Sequence, residues 1–302
     1  MKFHNPVLLN ECIQGLSVKP GGIYVDVTFG GGGHSRSILS KLNGGKLFAF
    51  DQDESANVND LNQPGFKLIN ANFRYLKNFL KIEQVTKIDG LLADLGVSSY
   101  QFDVATRGFS TRFDGQLDMR MNTNSKVTAY TLVNEIPKEE LAKVLRDYGD
   151  ERFSRRIADA IFMARPIKTT KELSSVISNA MPARSRRSPG HPARRSFQAL
   201  RIAVNSELEI LEASIRQAIE NLKPRGRGAI LSYHSGEDKI VKRTLREFAG
   251  LNTTNSKYRP EIQKTPVIEL LATKAEKPSE SETLANPRSS SALLRVFEKV
   301  GE

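Results

Sequence analysis

The chain has 302 residues, a length typical of two domains or of one domain with a large insertion. Its 45 Lys and Arg residues exceed its 34 Asp and Glu residues, and the resulting net charge of +11 favours a polyanionic partner. A hydrophobic share of 39% argues against a disordered chain, and the single cysteine, Cys12, excludes an internal disulfide and any zinc site built on two thiolates.

The same composition indicates the compartment. A single cysteine is typical of a reducing environment, and no uninterrupted apolar run approaches the roughly 18 residues of a membrane span. The apolar stretch near the start of the chain stops at Asn10 and Glu11, which makes it too short for a secretory signal. We therefore expect a cytoplasmic protein with no membrane partner.

The first hundred residues predict strands that alternate with helices. Apolar strands are expected over residues 22–29, 46–51, 66–70 and 89–95, and a short helix over residues 35–42. Near-continuous apolar strands separated by helices are typical of a parallel sheet that is covered on both faces.

The middle of the chain predicts helices instead. No comparable strand is found between about residues 102 and 202. The spacing of apolar residues predicts helices over residues 137–148, 153–163 and 171–180, and a long helix from Phe197 to Leu222. Pro224 and Gly226 are expected to end that long helix.

Strand character returns near the end of the chain. Strands are expected over residues 229–234 and 293–297, and the Ser-, Pro-, Lys- and Glu-rich residues 273–291 predict a mobile loop. The predicted fold class is therefore α/β, a Rossmann-like sheet with an inserted, mostly helical domain. Residues 1–102 and 203–302 would form the sheet domain, and residues 103–202 the insertion.

An arginine-rich stretch lies at the end of the insertion. Between Leu173 and Ser206 there is neither an acidic residue nor a lysine, and prolines predict that the centre of the stretch is a loop. A solvated surface loop is one interpretation, but arginine without interspersed acid is typical of a phosphate-binding surface. The candidate nucleic-acid contacts are Arg184, Arg186, Arg187, Arg194 and Arg195.

A glycine run, residues 30–33, follows the first predicted strand. Glycine lets the backbone turn sharply and approach a ligand, and nucleotide-like cofactors bind at this position in open α/β sheets. Ser35 stands where the dinucleotide fingerprint needs glycine, and no Lys-Ser/Thr follows, so a pyrophosphate ligand is disfavoured. Asp51 lies about 20 residues after Gly30 at the end of the second strand, a spacing that suits a carboxylate on ribose hydroxyls. These features favour a ribose-bearing ligand without bridging phosphates, of which S-adenosylmethionine is the commonest.

A third feature at this edge is Asp94, which ends the fourth predicted strand. A helix cap or a turn residue would explain an isolated aspartate equally well. Because the glycine run and Asp51 are expected at the same edge of the sheet, we interpret Asp94 as a functional residue.

Nine short motifs run in order along the chain, at residues 4–9, 28–35, 94–99, 107–110, 117–121, 191–202, 205–208, 232–235 and 286–289. This ordered set resembles the bacterial 16S ribosomal RNA (cytosine-N4) methyltransferases of the RsmH/MraW family. The matches extend from residue 4 to about residue 297 and so cover both the sheet and the insertion.

The resemblance implies a Rossmann-like methyltransferase sheet with S-adenosylmethionine as the methyl donor. The acceptor would be the exocyclic N4 of a decoding-centre cytosine of 16S rRNA, in the ribosomal P-site region. The resemblance suggests that the RNA is methylated within the small ribosomal subunit. The implied cofactor contacts are Gly32, Gly33, His34, Asp51, Phe73, Asp94 and Gln101. His34 has an alternative as a helix N-terminal residue without a ligand contact. No cluster of metal ligands is found, and the sequence leaves a homodimer open.

The cytosine amino group is a poor nucleophile because its lone pair is delocalised into the ring. An acceptor oxygen near an N4 hydrogen would localise the lone pair and take the proton. The prolines and aromatic ring that often follow such an acceptor are replaced by Leu95-Gly96-Val97, and Phe109 is a candidate for stacking on the base instead. The candidate catalytic residues are Asp94, Asp118, Arg120 and His234. An ion pair that holds the insertion is an equal alternative for Asp118 and Arg120, and a structural histidine is the alternative for His234.

Two other classes of protein share some of these features. A nicotinamide-dependent dehydrogenase would have the sheet and Asp51, but it needs the glycine pattern that Ser35 interrupts. A non-catalytic RNA-binding factor for ribosome assembly would explain the arginines, but it needs no glycine run and acids at one sheet edge. Binding of S-adenosylmethionine separates the enzyme from the assembly factor.

Overall fold

A computed structural model describes residues 6–187, 190–251 and 265–301. The chain divides into two compact units, which we call the sheet unit and the helical unit. The sheet unit comprises the residues up to Gly96 and from Leu208 onward, and the helical unit comprises Val97–Glu207. The helical unit is thus a few residues longer at each end than the insertion expected over residues 103–202. Ser188 and Pro189, at the centre of the arginine-rich stretch, lie outside the described residues.

The sheet unit is built on seven described strands in the order β3-β2-β1-β4-β5-β7-β6. They are β1 (Ile23–Asp26), β2 (Lys46–Asp51), β3 (Phe66–Asn70), β4 (Ile88–Asp94), β5 (Leu222–Ser232), β6 (Ile268–Leu270) and β7 (Leu293–Lys299). Strands β1 to β5 pair in parallel, whereas β7 is antiparallel to both of its neighbours. This order confirms the predicted Rossmann-like α/β fold.

The helices among the described residues are distributed over both units. They are α1 (Leu9–Leu16), α2 (Gly33–Leu42), α3 (Leu76–Ile82), α4 (Ser99–Asp103), α5 (Ala129–Asn134), α6 (Lys138–Gly149), α7 (Ser154–Met163), α8 (Thr170–Ala180), α9 (Ala183–Arg186), α10 (Arg194–Asn205), α11 (Glu207–Asn221), α12 (Ser235–Phe248) and α13 (Glu280–Ala285). No helix within the described ranges is both long and apolar enough to cross a membrane.

The central strands send side chains into an apolar core on each face of the sheet. On β4, Leu91 belongs to the core that also holds residues of α3, α11 and α12, whereas Leu92 belongs to the core with residues of α1 and α2. On β1, Val25 and Tyr24 divide in the same way. Because both faces are covered, these strands can be apolar at nearly every position, and this is the pattern that made them predictable.

The helical unit has a core of its own, formed along the apolar faces of α6, α7, α8 and α10. Capping boxes begin α5 at Thr128 and α8 at Thr169, which fixes where these helices start. Among the described residues of this unit, the β-type pairing is an isolated bridge between Gln116 and Thr169. The helical character predicted for this part of the chain is confirmed.

The long helix expected from Phe197 to Leu222 is wrong, because two helices occupy that range. Ser206 has a φ of 48° and separates α10 from α11. The Asn205 side chain holds the break: its Oδ1 accepts from the Met121 N–H at 2.8 Å and its Nδ2 donates to the Met119 carbonyl oxygen at 2.8 Å. The apolar repeat continues through the break and therefore conceals it.

Two further expectations near the end of the chain are corrected. Strand β5 begins at Leu222 and not at residue 229. Its pairing with β4 shifts register after Leu222 and resumes at Arg227. Pro224 lies in the skipped stretch, where its missing N–H costs no ladder bond. The loop expected over residues 273–291 contains helix α13 and the 3₁₀ helix Pro287–Ser291.

Candidate functional site

Four parallel strands of the sheet unit end at one edge of the sheet, and each end carries a polar side chain. Asp26 ends β1, Asp51 ends β2 and Asp94 ends β4, while Tyr233 directly follows β5. Because β2, β1, β4 and β5 are neighbours in the sheet, their carboxyl ends form a continuous row. This is the edge at which open α/β sheets bind their ligands.

The glycine run forms a tight turn from β1 into α2. Gly30 and Gly32 have φ values of 50° and 72°, in the left-handed region that glycine adopts most easily. A Cβ at Gly32 would lie 2.9 Å from the Phe29 ring, whereas a Cβ at Gly31 would have no neighbour within 4 Å. The turn is therefore tightly packed on one side and open on the other, as a backbone that receives a ligand must be.

Asp51 connects the glycine turn to the end of β2. Its Oδ2 accepts the Gly30 N–H at 2.8 Å and its Oδ1 accepts the Asp53 N–H at 2.9 Å. Burial raises the pKa of Asp51 to about 6, and these two backbone donors oppose that rise. Each carboxylate oxygen keeps a further lone pair, so Asp51 can still accept hydrogen bonds from the hydroxyls of a ligand.

Phe73 follows β3 in the 3₁₀ helix Phe73–Tyr75, next to the loop after β2. Its ring is half-buried and packs against the core of the sheet unit. The preceding Asn72 donates from Nδ2 to Gln52 Oε1 at 2.7 Å and so joins the loops that follow β3 and β2. The glycine turn, Asp51 and Phe73 thus follow three adjacent strands.

Asp94 is held by three neighbouring groups. Its backbone N–H donates to Thr28 Oγ1 at 2.6 Å, and its Oδ1 accepts the Tyr233 hydroxyl at 2.5 Å. Its Oδ2 lies 3.6 Å from His34 Nδ1. Burial raises the pKa of Asp94, while His34 and the hydroxyl of Tyr233 oppose that rise.

His34 is the second residue of α2 and is 6% exposed. Its Nε2 lies 3.0 Å from the Val7 carbonyl oxygen, and because a carbonyl can only accept, Nε2 carries the proton. The following residue, Leu8, donates its N–H to Glu282 Oε1 at 2.7 Å. A chain of contacts therefore links helix α13, the N-terminal segment and the His34–Asp94 pair.

His234 is the N-cap residue of α12. Its Nδ1 accepts the Glu237 N–H at 3.3 Å, and its Nε2 lies 3.1 Å from Glu237 Oε1. The geometry supports the structural alternative for His234, since both ring nitrogens face the first turn of the helix that it caps. Its catalytic role stays a prediction.

In the helical unit, Asp118 and Arg120 form a bidentate ion pair, with Arg120 Nε and an Nη 2.7 and 2.8 Å from the two carboxylate oxygens. The other Nη of Arg120 donates to the Thr123 and Ser125 carbonyl oxygens, both at 2.7 Å. The arginine lowers the pKa of Asp118, although partial burial opposes the change. This pair holds its own loop, as the alternative interpretation expected, and its contact with a substrate stays a prediction.

Two candidate site residues of the helical unit, Gln101 and Phe109, are buried within that unit. Gln101 is 4% exposed, and its Oε1 accepts the Ser98 N–H at 3.1 Å in the capping box of α4. Phe109 is 4% exposed and belongs to the apolar core of the unit. The expectation that Phe109 stacks on a base is therefore wrong for this conformation, because its ring faces are covered. Gln101 as a cofactor contact stays a prediction.

The arginine-rich stretch is more regular than expected. The first arginines lie on or beside the short helix α9, and another group lies in the first turn of α10. All five predicted RNA contacts are exposed: Arg184, Arg186, Arg187, Arg194 and Arg195. Arg195 also donates to the Asp150 carbonyl oxygen at 3.2 Å.

The sequence analysis did not single out Tyr233, which lies in the motif at residues 232–235. It also missed Glu237, which is 3% exposed and accepts the Tyr233 N–H at 2.8 Å. The strand expected over residues 229–234 placed Tyr233 within the strand, so no signal in the sequence marked its side chain as a neighbour of Asp94. Among the described residues, no group of three or more His, Cys, Asp or Glu is arranged to hold a metal ion.

Comparison with known proteins adds to this geometry. The MraW methylase family matches the chain over residues 1–300. Ribosomal RNA small subunit methyltransferase H of Mesoplasma florum is 46% identical, with 99% of this chain and 100% of that protein covered. The proteins of the same name from Flavobacterium johnsoniae and Lactobacillus acidophilus are 46% and 47% identical, again with 99% of this chain and 99% and 100% of theirs covered.

One similar solved structure shares little sequence with the chain. A Streptococcus mutans protein in complex with SAH is 13% identical, with a TM-score of 0.46 and with 98% of this chain and 100% of that chain covered. A TM-score below 0.5 adds nothing to what the strand order already shows.

Proposed function

The chain belongs to the MraW methylase family, and from that premise we propose that it methylates the exocyclic N4 of a decoding-centre cytosine in 16S rRNA. The methyl donor is S-adenosylmethionine, and the substrate is the P-site region of the small ribosomal subunit. The relatives named ribosomal RNA small subunit methyltransferase H support small subunit RNA as the substrate. The protein would act in the cytoplasm, where that RNA is found. The single observation that carries the proposal is the row of glycine turn, Asp51 and Asp94 along one sheet edge.

The residues at that edge fit the cofactor. Asp51 offers a carboxylate to the ribose hydroxyls, and the open side of the turn at Gly31 admits a ligand close to the backbone. Gly32, Gly33 and His34 would line the turn, and Phe73 would lie near the adenine. Asp94 would line the pocket beside them, and the family resemblance implies a cofactor contact for Gln101 as well.

Asp94 is the best-placed acceptor for a proton from the cytosine amino group. When bound, S-adenosylmethionine would supply an electrophilic methyl group to N4, with the sulfur as the leaving group. Asp94 Oδ2 accepts the hydrogen bond from N4 and then the proton that N4 loses. Binding both partners in line supplies much of the remaining rate acceleration.

The helical unit would bind the RNA. Its five exposed arginines suit phosphates, and guanidinium groups pair with phosphate oxygens in a bidentate way. Asp118 and Arg120 would meet the cytosine edge or its phosphate from the loop that they hold together. The target base must leave its stack to reach Asp94, so an unpaired or flipped cytosine is expected.

The second candidate is a non-catalytic RNA-binding assembly factor, which the exposed arginines favour. It gives no reason for an aspartate at the end of β2 that accepts the N–H of a glycine turn. Binding of S-adenosylmethionine, measured without RNA, distinguishes the two candidates.

The test of the proposed function is methyl transfer from labelled S-adenosylmethionine to small subunits from cells that lack this protein. We expect label in N4-methylcytidine after digestion of the RNA to nucleosides. Asp94→Asn should lower kcat by about 100-fold or more, since a positioned proton acceptor contributes about 10²–10⁴-fold. Asp89→Asn is the matched control, because Asp89 lies at the opposite end of β4 and pairs with Lys223.

Each result has a separate meaning. Label in another methylated nucleoside would contradict the acceptor and keep the enzyme class. Absence of both label and cofactor binding would leave the assembly factor as the better account.

A further inference from the structure

Tyr233 occupies a position that the proposed mechanism has not yet used. It directly follows β5, and its backbone N–H donates to Glu237 Oε2 at 2.8 Å. Glu237 is 3% exposed and lies in the first turn of α12. A buried carboxylate therefore fixes the direction in which the Tyr233 side chain leaves the backbone.

The Tyr233 side chain reaches the residue at the end of the neighbouring strand β4. Its hydroxyl donates to Asp94 Oδ1 at 2.5 Å, a distance typical of a strong hydrogen bond to a carboxylate. Its ring packs beside Gly96, where a Cβ would lie 3.7 Å from the ring Cδ2. Because Thr28 Oγ1 also accepts the Asp94 N–H, both the backbone and the carboxylate of Asp94 are held.

We propose that Tyr233 is a positioning residue for methyl transfer, which holds Asp94 Oδ1 so that Oδ2 is the oxygen that meets the N4 hydrogen. This inference rests on the proposed function and deepens it. A carboxylate turns freely about its Cβ–Cγ bond, and without the phenol the two oxygens of Asp94 would share the task in changing orientations. Burial and the adjacent carboxylate raise the pKa of Tyr233, so its hydroxyl keeps its proton and remains a donor.

The same bond affects the protonation of Asp94. The titratable groups that face Asp94 come from each element packed around it, and they are Cys12 of α1, Asp26 of β1, His34 of α2, Tyr233 after β5 and Glu237 of α12. Burial, Asp26 and Glu237 raise the pKa of Asp94, whereas His34 and Tyr233 lower it. Removal of the hydroxyl therefore raises the pKa of Asp94 further, and the acid limb of the kcat profile moves to higher pH.

The experiment compares Tyr233→Phe with Tyr24→Phe on small subunits. Tyr24 is a matched control because it is a buried tyrosine of the same unit, its hydroxyl accepts the Lys19 N–H, and it pairs with Gly90 near the opposite end of β4. For Tyr233→Phe we expect kcat to fall by about tenfold, with KM for S-adenosylmethionine within about threefold of wild type. The acid limb of the kcat profile should move up by about one pH unit. Tyr24→Phe should change neither kcat nor the position of the acid limb.

A double-mutant cycle tests whether Tyr233 acts through Asp94. The variant Asp94→Asn/Tyr233→Phe should be no slower than Asp94→Asn alone, because the phenol then has no carboxylate to hold. Additive losses, or a Tyr233→Phe profile that coincides with wild type, would overturn the inference while wild-type labelling upholds the proposed function. Absence of label with the wild type would overturn both.

Discussion

Among single residues, Asp51 has the most direct consequence for the cofactor. It is a buried carboxylate whose two oxygens each accept one backbone N–H, and its pKa is raised to about 6. Ribose hydroxyls bind the ionised form of a carboxylate more strongly than the neutral acid. Occupancy of the pocket should therefore depend on pH in a range where an ordinary aspartate no longer titrates.

For wild type, we expect the Kd of S-adenosylmethionine to rise as pH falls below about 6, approaching tenfold per pH unit. Asp51→Asn should abolish this dependence and weaken binding at pH 7 by about 1.5–3 kcal/mol, or roughly 10- to 100-fold. Isothermal titration calorimetry between pH 5 and 7 measures both. Asp60→Asn, an exposed carboxylate in the loop after β2, is the control and should bind as wild type does. A pH-independent wild-type Kd would contradict the role of Asp51.

At the scale of elements, the break between α10 and α11 depends on one residue in a costly conformation. Ser206 has a φ of 48°, which costs a residue with a side chain roughly 1 kcal/mol relative to glycine. Ser206→Gly should therefore stabilise the protein by about 1 kcal/mol, measured by urea unfolding. Ser175→Gly, at an exposed position within α8, should destabilise it, because glycine is unfavourable inside a helix. Equal effects of the two changes would show that the conformation of Ser206 carries no strain.

The arginines on and beside α9 allow a second test at this scale. Changing Arg184, Arg186 and Arg187 together to Gln should weaken binding to the small subunit and lower the salt dependence of log K by about two, at about 0.7 per phosphate contact. The Kd of S-adenosylmethionine should stay unchanged. Arg155→Gln/Arg156→Gln is the control, since these two exposed arginines lie on α7 in the same unit. An effect of the control as large per charge would show that RNA binding is not confined to the predicted stretch.

At the scale of the whole molecule, the net charge of +11 predicts that the affinities for the two ligands respond differently to salt. Affinity for the small subunit should fall roughly 100-fold between about 50 and 200 mM salt if five arginines meet phosphates. Affinity for S-adenosylmethionine should change by less than about twofold, because its proposed contacts are local hydrogen bonds. Filter binding and calorimetry at the same salt concentrations measure the two. Parallel losses would indicate that salt perturbs the fold and not the RNA contacts.

The sequence predicted those parts of the fold that depend on local signals. Strands β2 and β3 begin and end as expected, since each contains an apolar run, residues 47–50 in β2 and Leu68 and Ile69 in β3. The break at Ser206 was missed because it is held by Asn205 contacts with Met119 and Met121, which are remote in sequence.

The site shows the same division. Asp51 was predictable from its distance to the glycine run, and the bond between them is present. Tyr233 was not predictable, because its partner Asp94 lies 139 residues earlier and no spacing rule joins them. The roles of Gln101 and of the five arginines are still predictions, since neither the burial of Gln101 nor the exposure of the arginines establishes a contact with a ligand.

The bond from the Leu8 N–H to Glu282 has a consequence for the synthesis of the protein. It joins residues 274 positions apart, and the adjacent Val7 carbonyl receives His34, the neighbour of Asp94. A nascent chain exposes the helical unit while β5, Tyr233 and Glu282 are still to be translated, and domains fold as they emerge. The proposed RNA surface of the helical unit is therefore translated before the residues that complete the proposed donor pocket.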